Sequence, residues 1–259
     1  MQSMLICNFS ICYLAVMTKN EAWLLNEKYN GEKTEGFFTD CKRLALGEPL
    51  AYVIGSIPFL NTNIYLDSLP LIPRPETEFW TEKAINEIKK TPNPKVLDLC
   101  AGSGAIGVAV AKTAPETIVH FAELDKTHLP TIGKNLEANS ISCTRYKVWQ
   151  SDLFENVTET YDFILTNPPY IDPELDRTQA SVKNYEPHVA LYGGMDGMEL
   201  IEKIIKEANA HLTPNGQLWI EHEPEQTTVI TKIADAYNFS VSAHKDQFGI
   251  IRYSVLKKV

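Results

Sequence analysis

Lys95-Val-Leu-Asp-Leu-Cys-Ala-Gly-Ser-Gly104, followed by Ala-Ile-Gly-Val-Ala-Val-Ala-Lys-Thr113, decides the architecture of this chain. A short apolar run with a single acid near its end reads as a buried strand over Lys95–Cys100. The glycine-containing turn that follows opens an Ala/Val-rich helix over Gly104–Thr113. From this unit outward the same alternation repeats. TIVHFAEL (117–124) predicts a second strand, a helix runs on through Asn139, and strands are expected over Tyr146–Gln150 and Tyr161–Thr166. Met198–Leu212 carries apolar residues at helical spacing, GQLWIEH (216–222) is a strand, TTVITKIADAY (227–237) a helix, and two last strands flank Gly249. Strands separated by helices imply a parallel sheet with helices on both faces, and the closing pair implies an antiparallel edge. The expected fold class is therefore α/β: a doubly wound, mostly parallel seven-stranded sheet.

Upstream, helical patterns cover about Asn20–Tyr29 and Glu35–Leu46, with Gly47 placed to end the second. Gly47–Gly55 reads as a connector and Phe59–Asp67, with its alternation, as a small hairpin. Pro75 is placed to open a helix that continues through Lys90, where Pro92 and Pro94 stop it. The chain is thus expected to divide into a small, reduced helical region with its hairpin (1–70) and an α/β domain (71–259). Residues 1–16, MQSMLICNFSICYLAV, carry no Lys or Arg, so the basic start of a signal peptide is absent. The expectation is that Met17 is the natural start and that 1–16 is an upstream extension.

Composition narrows the function classes. The chain has 259 residues, 44% hydrophobic and 22% charged, which are ordinary globular values. The apolar stretch from Met4 to Met17 is about 14 residues, too short to span a bilayer. The formal charge is −9, and gripping long phosphate backbones requires clustered Lys/Arg instead, so no direct nucleic-acid binding is expected. Five cysteines with no CxxC, and six histidines without HxxxH spacing, support neither a disulfide framework nor a metal site. Reduced thiols in a cytoplasmic protein are expected.

The turn Asp98-Leu-Cys-Ala-Gly-Ser-Gly104 is a candidate ligand site, because glycines let a backbone approach a ligand and the next helix offers N–H groups. Cys100, Ala101, Gly102, Ser103 and Gly104 form it. No Lys-Ser/Thr follows, so it is not a P-loop. Glu123 closes the second strand, where an acid can accept hydrogen bonds from a ribose diol; Asp125 is the alternative. A nicotinamide cofactor is compatible with the turn alone. The acid Asp98, with few glycines, better suits a ligand bearing an ammonium group, as S-adenosylmethionine does. Asp152, after the third strand, would then lie near the adenine, or else be a plain loop acid.

Asn167-Pro-Pro-Tyr170 directly follows the fourth strand, at the edge where doubly wound sheets bind ligands. Two prolines remove two N–H donors and stiffen the backbone. The Asn167 side-chain oxygen and the Pro168 carbonyl can then hold the two hydrogens of a planar –NH2 group, with Tyr170 stacked on the group that carries it. Such positioning orients a nitrogen lone pair for attack on a methyl group.

Taken together, GEPLAYVIG (47–55), LIPRPETE (71–78), LDLCAGSGAIG (97–107), NPPY (167–170), YEPHVALYGGMDGMELI (185–201), GQLWIEHEPEQ (216–226) and DQFGIIRY (246–253) carry a resemblance. The chain resembles the peptide chain release factor glutamine methyltransferases, which are class I S-adenosylmethionine-dependent methyltransferases. NPPY alone is shared with DNA adenine and some RNA guanine methyltransferases; RPETE with YEPHVALYGG is more specific. The resemblance implies methyl transfer to the side-chain amide of the glutamine in the GGQ loop of class 1 release factors. On matching positions it implies that Cys100 to Gly104, Glu123, Asp152 or Leu153, and Asn167 contact the cofactor. It likewise implies that Asn167, Pro168, Pro169 and Tyr170 hold the substrate. Arg74 and Glu76 would support the site or merely pair at a helix start, and Glu186 and Pro187 would shape a loop beside the pocket. Cys100 stands where the family commonly has glycine, and a small side chain is expected to be tolerated. The helical region ahead of the hairpin is shorter than is usual in the family.

Three rivals remain open at this point. One is a glutamine methyltransferase for a ribosomal protein; a second is a nucleic-acid exocyclic-amine methyltransferase, disfavoured by the acidic balance. The third is a catalytically silent module, disfavoured by the intact NPPY and glycine turn. A monomer engaging its substrate one to one is the simplest expectation.

Overall fold

The structure is a computed structural model describing residues 17–175 and 177–259; the expected extension over 1–16 lies outside the described residues. Three short helices come first: α1 (Lys19–Glu27), α2 (Glu35–Ala45) and α3 (Leu50–Ile54). Thr18 caps α1 by accepting from the Glu21 N–H, and Glu21 reciprocates on the Thr18 N–H, which satisfies two otherwise orphan donors. Strands β1 (Ser56–Phe59) and β2 (Thr62–Tyr65) form the hairpin, and α4 (Pro75–Ile88) follows with proline in its first turn. The predicted connector over Gly47–Gly55 thus contains a helix. Its five residues are too few for helical periodicity to show in sequence.

The α/β body then runs β3 (Lys95–Leu99), α5 (Ala105–Thr113), β4 (Ile118–Glu123), α6 (Leu129–Ala138), β5 (Tyr146–Gln150), β6 (Tyr161–Thr166) and α7 (Ala180–Tyr185). It closes with α8 (Glu199–His211), β7 (Leu212–Glu221), α9 (Thr227–Ala236), β8 (Phe239–Lys245) and β9 (Ile251–Lys258). The seven-stranded sheet has the order β5-β4-β3-β6-β7-β9-β8. Its first five strands are parallel, and β9 lies antiparallel to both β7 and β8. The order reverses between β3 and β6, which is where open α/β sheets leave a crevice at their carboxyl ends. Leu99 pairs with Thr166 across that reversal. The two segments singled out in the sequence, starting at Cys100 and Asn167, therefore leave the sheet side by side.

Both faces of the sheet are covered. Trp80, Ile85 and Ile88 of α4 pack with Val96, Val108, Phe121 and Ile132, and the hairpin adds Phe59, Ile64 and Leu66 to this same core. On the other face, α8 buries Ile201, Ile204, Ile205 and Ala208, the i, i+3, i+4, i+7 stripe of an amphipathic helix. Each such isoleucine, fully buried, contributes about 1.5–3 kcal/mol. Leu24, Phe37 and Val53 form a separate small cluster among the N-terminal helices. Among the described residues no helix is long and apolar enough to cross a membrane.

Gly107 shows how closely α5 is pressed onto the sheet. A Cβ there would lie 2.3 Å from the Phe121 ring and 3.0 Å from the Asp98 Cβ. Gly107→Ala is therefore expected to destabilise by about 1–3 kcal/mol, overpacking outweighing alanine's better helix propensity. Urea unfolding would check this, and Phe121→Leu in the same chain should recover part of the loss.

Candidate active site

A cleft of about 750 Å³, counting its open mouth, lies over the carboxyl ends of β3, β4 and β6. Of the residues predicted for cofactor contact, Cys100, Gly102, Glu123, Asp152, Leu153 and Asn167 line it. Glu123 is 8% exposed; one carboxylate oxygen accepts from the Gly102 N–H at 2.7 Å and the other from the Asp125 N–H at 2.8 Å. The alternative acid, Asp125, also lines the cleft, but its side chain is engaged with the Thr127 N–H and hydroxyl. Asp152 is exposed and pairs with Lys203 at 3.3 Å, while Leu153 beside it is buried. Leu71, Leu124, His128, Pro169, Val189, Ala190 and Leu200 are also among its lining residues. Of these, Leu71, Leu124, His128, Val189 and Leu200 are not singled out in the sequence, since a lone apolar side chain or histidine carries no local mark of a cleft.

Asp98, Ala101, Ser103 and Gly104, also predicted for cofactor contact, are not among the residues lining this cleft. Asp98 is fully buried beneath the turn and accepts from the Gly107 N–H at 2.8 Å, so it caps α5. Burial pushes its carboxyl well above the usual carboxylate range, against the pull of that hydrogen bond. Ser103 is buried, and its carbonyl accepts from Asn135. Gly104 is the left-handed N-cap of α5, and Ala101 accepts from its N–H. These four residues shape the turn.

Cys100 sits at φ +59°, in the left-handed region where glycine is at ease and other L-residues lose roughly 1–2 kcal/mol. Burial pushes its thiol up to about 12, so it is a neutral, non-nucleophilic group at neutral pH.

A second cavity, of about 560 Å³, adjoins the first. Arg74, Pro168, Tyr170, Ile171 and Leu191 line it, and Leu71, Asn167 and Ala190 line both cavities. The Asn167 side-chain amide donates to Thr77 Oγ1 at 3.1 Å, and that hydroxyl donates to Glu221 Oε2 at 2.7 Å. The Trp80 indole N–H reaches the same oxygen at 2.7 Å, and the Tyr170 hydroxyl donates to Glu221 Oε1 at 3.0 Å. Glu221 is 1% exposed. Burial pushes its carboxyl up, and the three donors together with Arg252 pull it back. Burial and the neighbouring Glu221 charge push the Tyr170 phenol well above its ordinary value. Thr77 and Glu221 are thus site residues that the sequence reading included only inside longer motifs.

The helix-start pair of Arg74 with Glu76 does not form; Arg74 pairs with Glu186 at 2.7 Å instead. The other Glu186 oxygen accepts from the Ile72 N–H at 3.0 Å, joining the segment before α4 to the loop after α7. The glycines of the 192–198 loop are required by close approach. A Cβ on Gly193 would meet the Pro169 carbonyl at 2.6 Å, and one on Gly197 the Tyr170 carbonyl at 2.0 Å. Gln226 donates to that same Tyr170 carbonyl at 2.9 Å. The tetrapeptide is therefore gripped from behind along its backbone.

The left-handed geometry at Cys100 makes a stability prediction. Cys100→Gly should leave the fold unchanged or stabilise it by up to about 1 kcal/mol, relieved strain outweighing added chain entropy. Cys100→Val, β-branched at a left-handed position, should cost about 1–3 kcal/mol. Thermal unfolding of the two variants should therefore move in opposite directions or diverge clearly.

Known proteins resemble this chain in sequence and in fold. The family model "Methyltransferase small domain" matches residues 80–184. The release factor glutamine methyltransferase of Thermodesulfovibrio yellowstonii is 33% identical over 253 residues, covering 96% of this chain and 90% of that protein. The enzyme of the same name from Rhodopirellula baltica is 38% identical over 201 residues, covering 75% and 68%. Among solved structures, a T. thermophilus 16S rRNA N2 G1207 methyltransferase in complex with AdoMet and guanosine superposes with a TM-score of 0.56 at 19% identity. That match covers 79% of this chain and 50% of that one, and it speaks to the fold alone. With a methyltransferase fold, two cavities meeting at Asn167 and relatives matched over nearly its whole length, the chain belongs to the release factor glutamine methyltransferase family.

Proposed function

We propose that the chain transfers a methyl group from S-adenosylmethionine to the side-chain amide nitrogen of the glutamine in the GGQ motif of class 1 peptide chain release factors. The observation that carries this reading is that Asn167 lines both the larger cleft and the smaller cavity, so one residue would meet both a donor and an acceptor. The donor set of the larger cleft fits the cofactor. The Glu123 carboxylate can accept from a ribose diol, Leu124 and Leu153 offer apolar faces to an adenine, and Asp152 can accept from its amino group. When bound, S-adenosylmethionine supplies an activated methyl group on its sulfonium.

The remaining work falls to the chain's own residues. An amide nitrogen is a poor nucleophile, because its lone pair is delocalised into the carbonyl. The Asn167 oxygen and the Pro168 carbonyl would hold its two hydrogens, setting the direction of the lone pair toward the cleft. Pro168 and Pro169 have no N–H to compete for those acceptors. Tyr170, anchored by Glu221, would form the wall against the glutamine side chain. Apolar walls from Leu71, Val189 and Ala190 would exclude water, where positioning and fixed dipoles act most strongly. The acidic net charge of −9 agrees with a protein substrate more readily than with a nucleic acid.

The direct test is transfer of labelled methyl from S-adenosylmethionine to a purified release factor beside its GGQ→GGA variant, with label expected on the wild type only. Label on both, or on neither while cofactor binds, would overturn the assignment. Asn167→Ala should lower kcat by about 100-fold or more with the fold intact by circular dichroism. Glu123→Ala should weaken cofactor affinity, read by calorimetry, more than it lowers single-turnover rate at saturating cofactor.

A further inference from the structure

Asn167 bears one acceptor and two donors on a side chain that rotation by half a turn nearly superposes, so its usefulness depends on what orients it. The orientation is settled by groups that do not touch the substrate. The Trp80 indole N–H can only donate, so Glu221 Oε2, at 2.7 Å, must accept. Thr77 Oγ1 lies 2.7 Å from that same oxygen and has one proton, which goes to Glu221. The contact between Thr77 and Asn167 at 3.1 Å must then run from the Asn167 N–H2 into a Thr77 lone pair. Flipping the amide would demand the Thr77 proton for Asn167 and leave two acceptor oxygens facing each other at Glu221. In a buried network such a mismatch is costly. Thr77 is 3% exposed and Glu221 1% exposed, so water is poorly placed to repair it.

We infer that Glu221, acting through Thr77, is a positioning residue that locks the Asn167 oxygen toward the substrate cavity, so that the site selects an –NH2 group and rejects a carboxylate of the same shape. Pro168 lines that cavity too, and its carbonyl accepts no hydrogen bond from the described residues. The pair Asn167 and Pro168 therefore presents two acceptors. A glutamine amide satisfies both, whereas a glutamate would oppose them with like partial charge. This deepens the reading of the reacting group as a glutamine amide and rests on it.

The test uses Thr77→Val, which keeps the shape and removes the hydroxyl, and Thr77→Ser, which restores it. In the full chain, Thr77→Val should lower kcat by about 10- to 100-fold while cofactor affinity changes little, and Thr77→Ser should recover most of the loss. As competitive inhibitors, a GGE variant of the release factor should bind the wild-type enzyme more weakly than a GGA variant, and Thr77→Val should shrink that difference. Independently of any substrate, the Asn167 side-chain N–H2 signals in nitrogen-15 spectra should shift in Thr77→Val and return in Thr77→Ser. If Thr77→Val fails to fold, Thr77→Ala takes its place. A Thr77→Val enzyme with kcat within about twofold of wild type, an undiminished penalty for GGE, or unmoved Asn167 signals would overturn the inference. Should the wild type methylate no release factor, the functional reading fails, and the spectra still decide how Asn167 is oriented.

Discussion

A single buried carboxylate organises this protein's working end. Glu221 finishes β7 and receives hydrogen bonds from Thr77 and Trp80 on α4 and from Tyr170 beyond β6. Taking a carboxylate out of water costs several kcal/mol unless its oxygens are satisfied. Both oxygens find donors here, so the penalty is largely offset only when all three segments are in place. The carboxylate thus makes the position of α4, which is not part of the sheet, as definite as that of a strand.

Most of the architecture was legible in the sequence. Strands and helices of the α/β body alternate with distinct periods, and the glycine turn and NPPY fall where the sheet order reverses. Their adjacency follows from the pairing of Leu99 with Thr166, a consequence of doubly wound topology. What escaped has a common cause. Thr77 and Glu221 are 144 positions apart, and nothing local in either segment marks them as partners. Asp98 reads in sequence as an acid at a strand end, and that one of its oxygens accepts from the Gly107 N–H of α5 shows only in the folded chain. Arg74 sits two residues from Glu76, but the acid it meets is Glu186, folded back from beyond α7. Cys100 could be read as small enough for a glycine position; that the position is left-handed is a property of the backbone, which the residue name does not disclose.

The walls of the two cavities obey the same economy. Glu186 holds the Ile72 amide and the Arg74 guanidinium, so one side chain joins the segment ahead of α4 to the loop that carries Val189 and Ala190. Gly193 and Gly197 let that loop rest on the carbonyls of Pro169 and Tyr170. The tetrapeptide is accordingly a rigid partition between two chambers, supported by backbone on one side and by the Glu221 network on the other.

The five-residue helix α3 looks in two directions. Tyr52 belongs to the large core beside the sheet, and its hydroxyl reaches the Pro70 carbonyl at 2.7 Å. Val53, its neighbour, belongs to the small cluster with Leu24 and Phe37. The hairpin that follows is bolted inward by Asn135, which bonds both the N–H and the carbonyl of Tyr65. Everything from α3 onward is thereby bound to the catalytic body, whereas α1 and α2 meet it mainly through one side of a single turn and a half of helix, with the Tyr185 hydroxyl adding a bond to the Leu46 carbonyl at 2.9 Å. Two hydrophobic clusters thus share one short helix, so that any displacement of α1 and α2 is passed to the core beside the sheet mainly through α3.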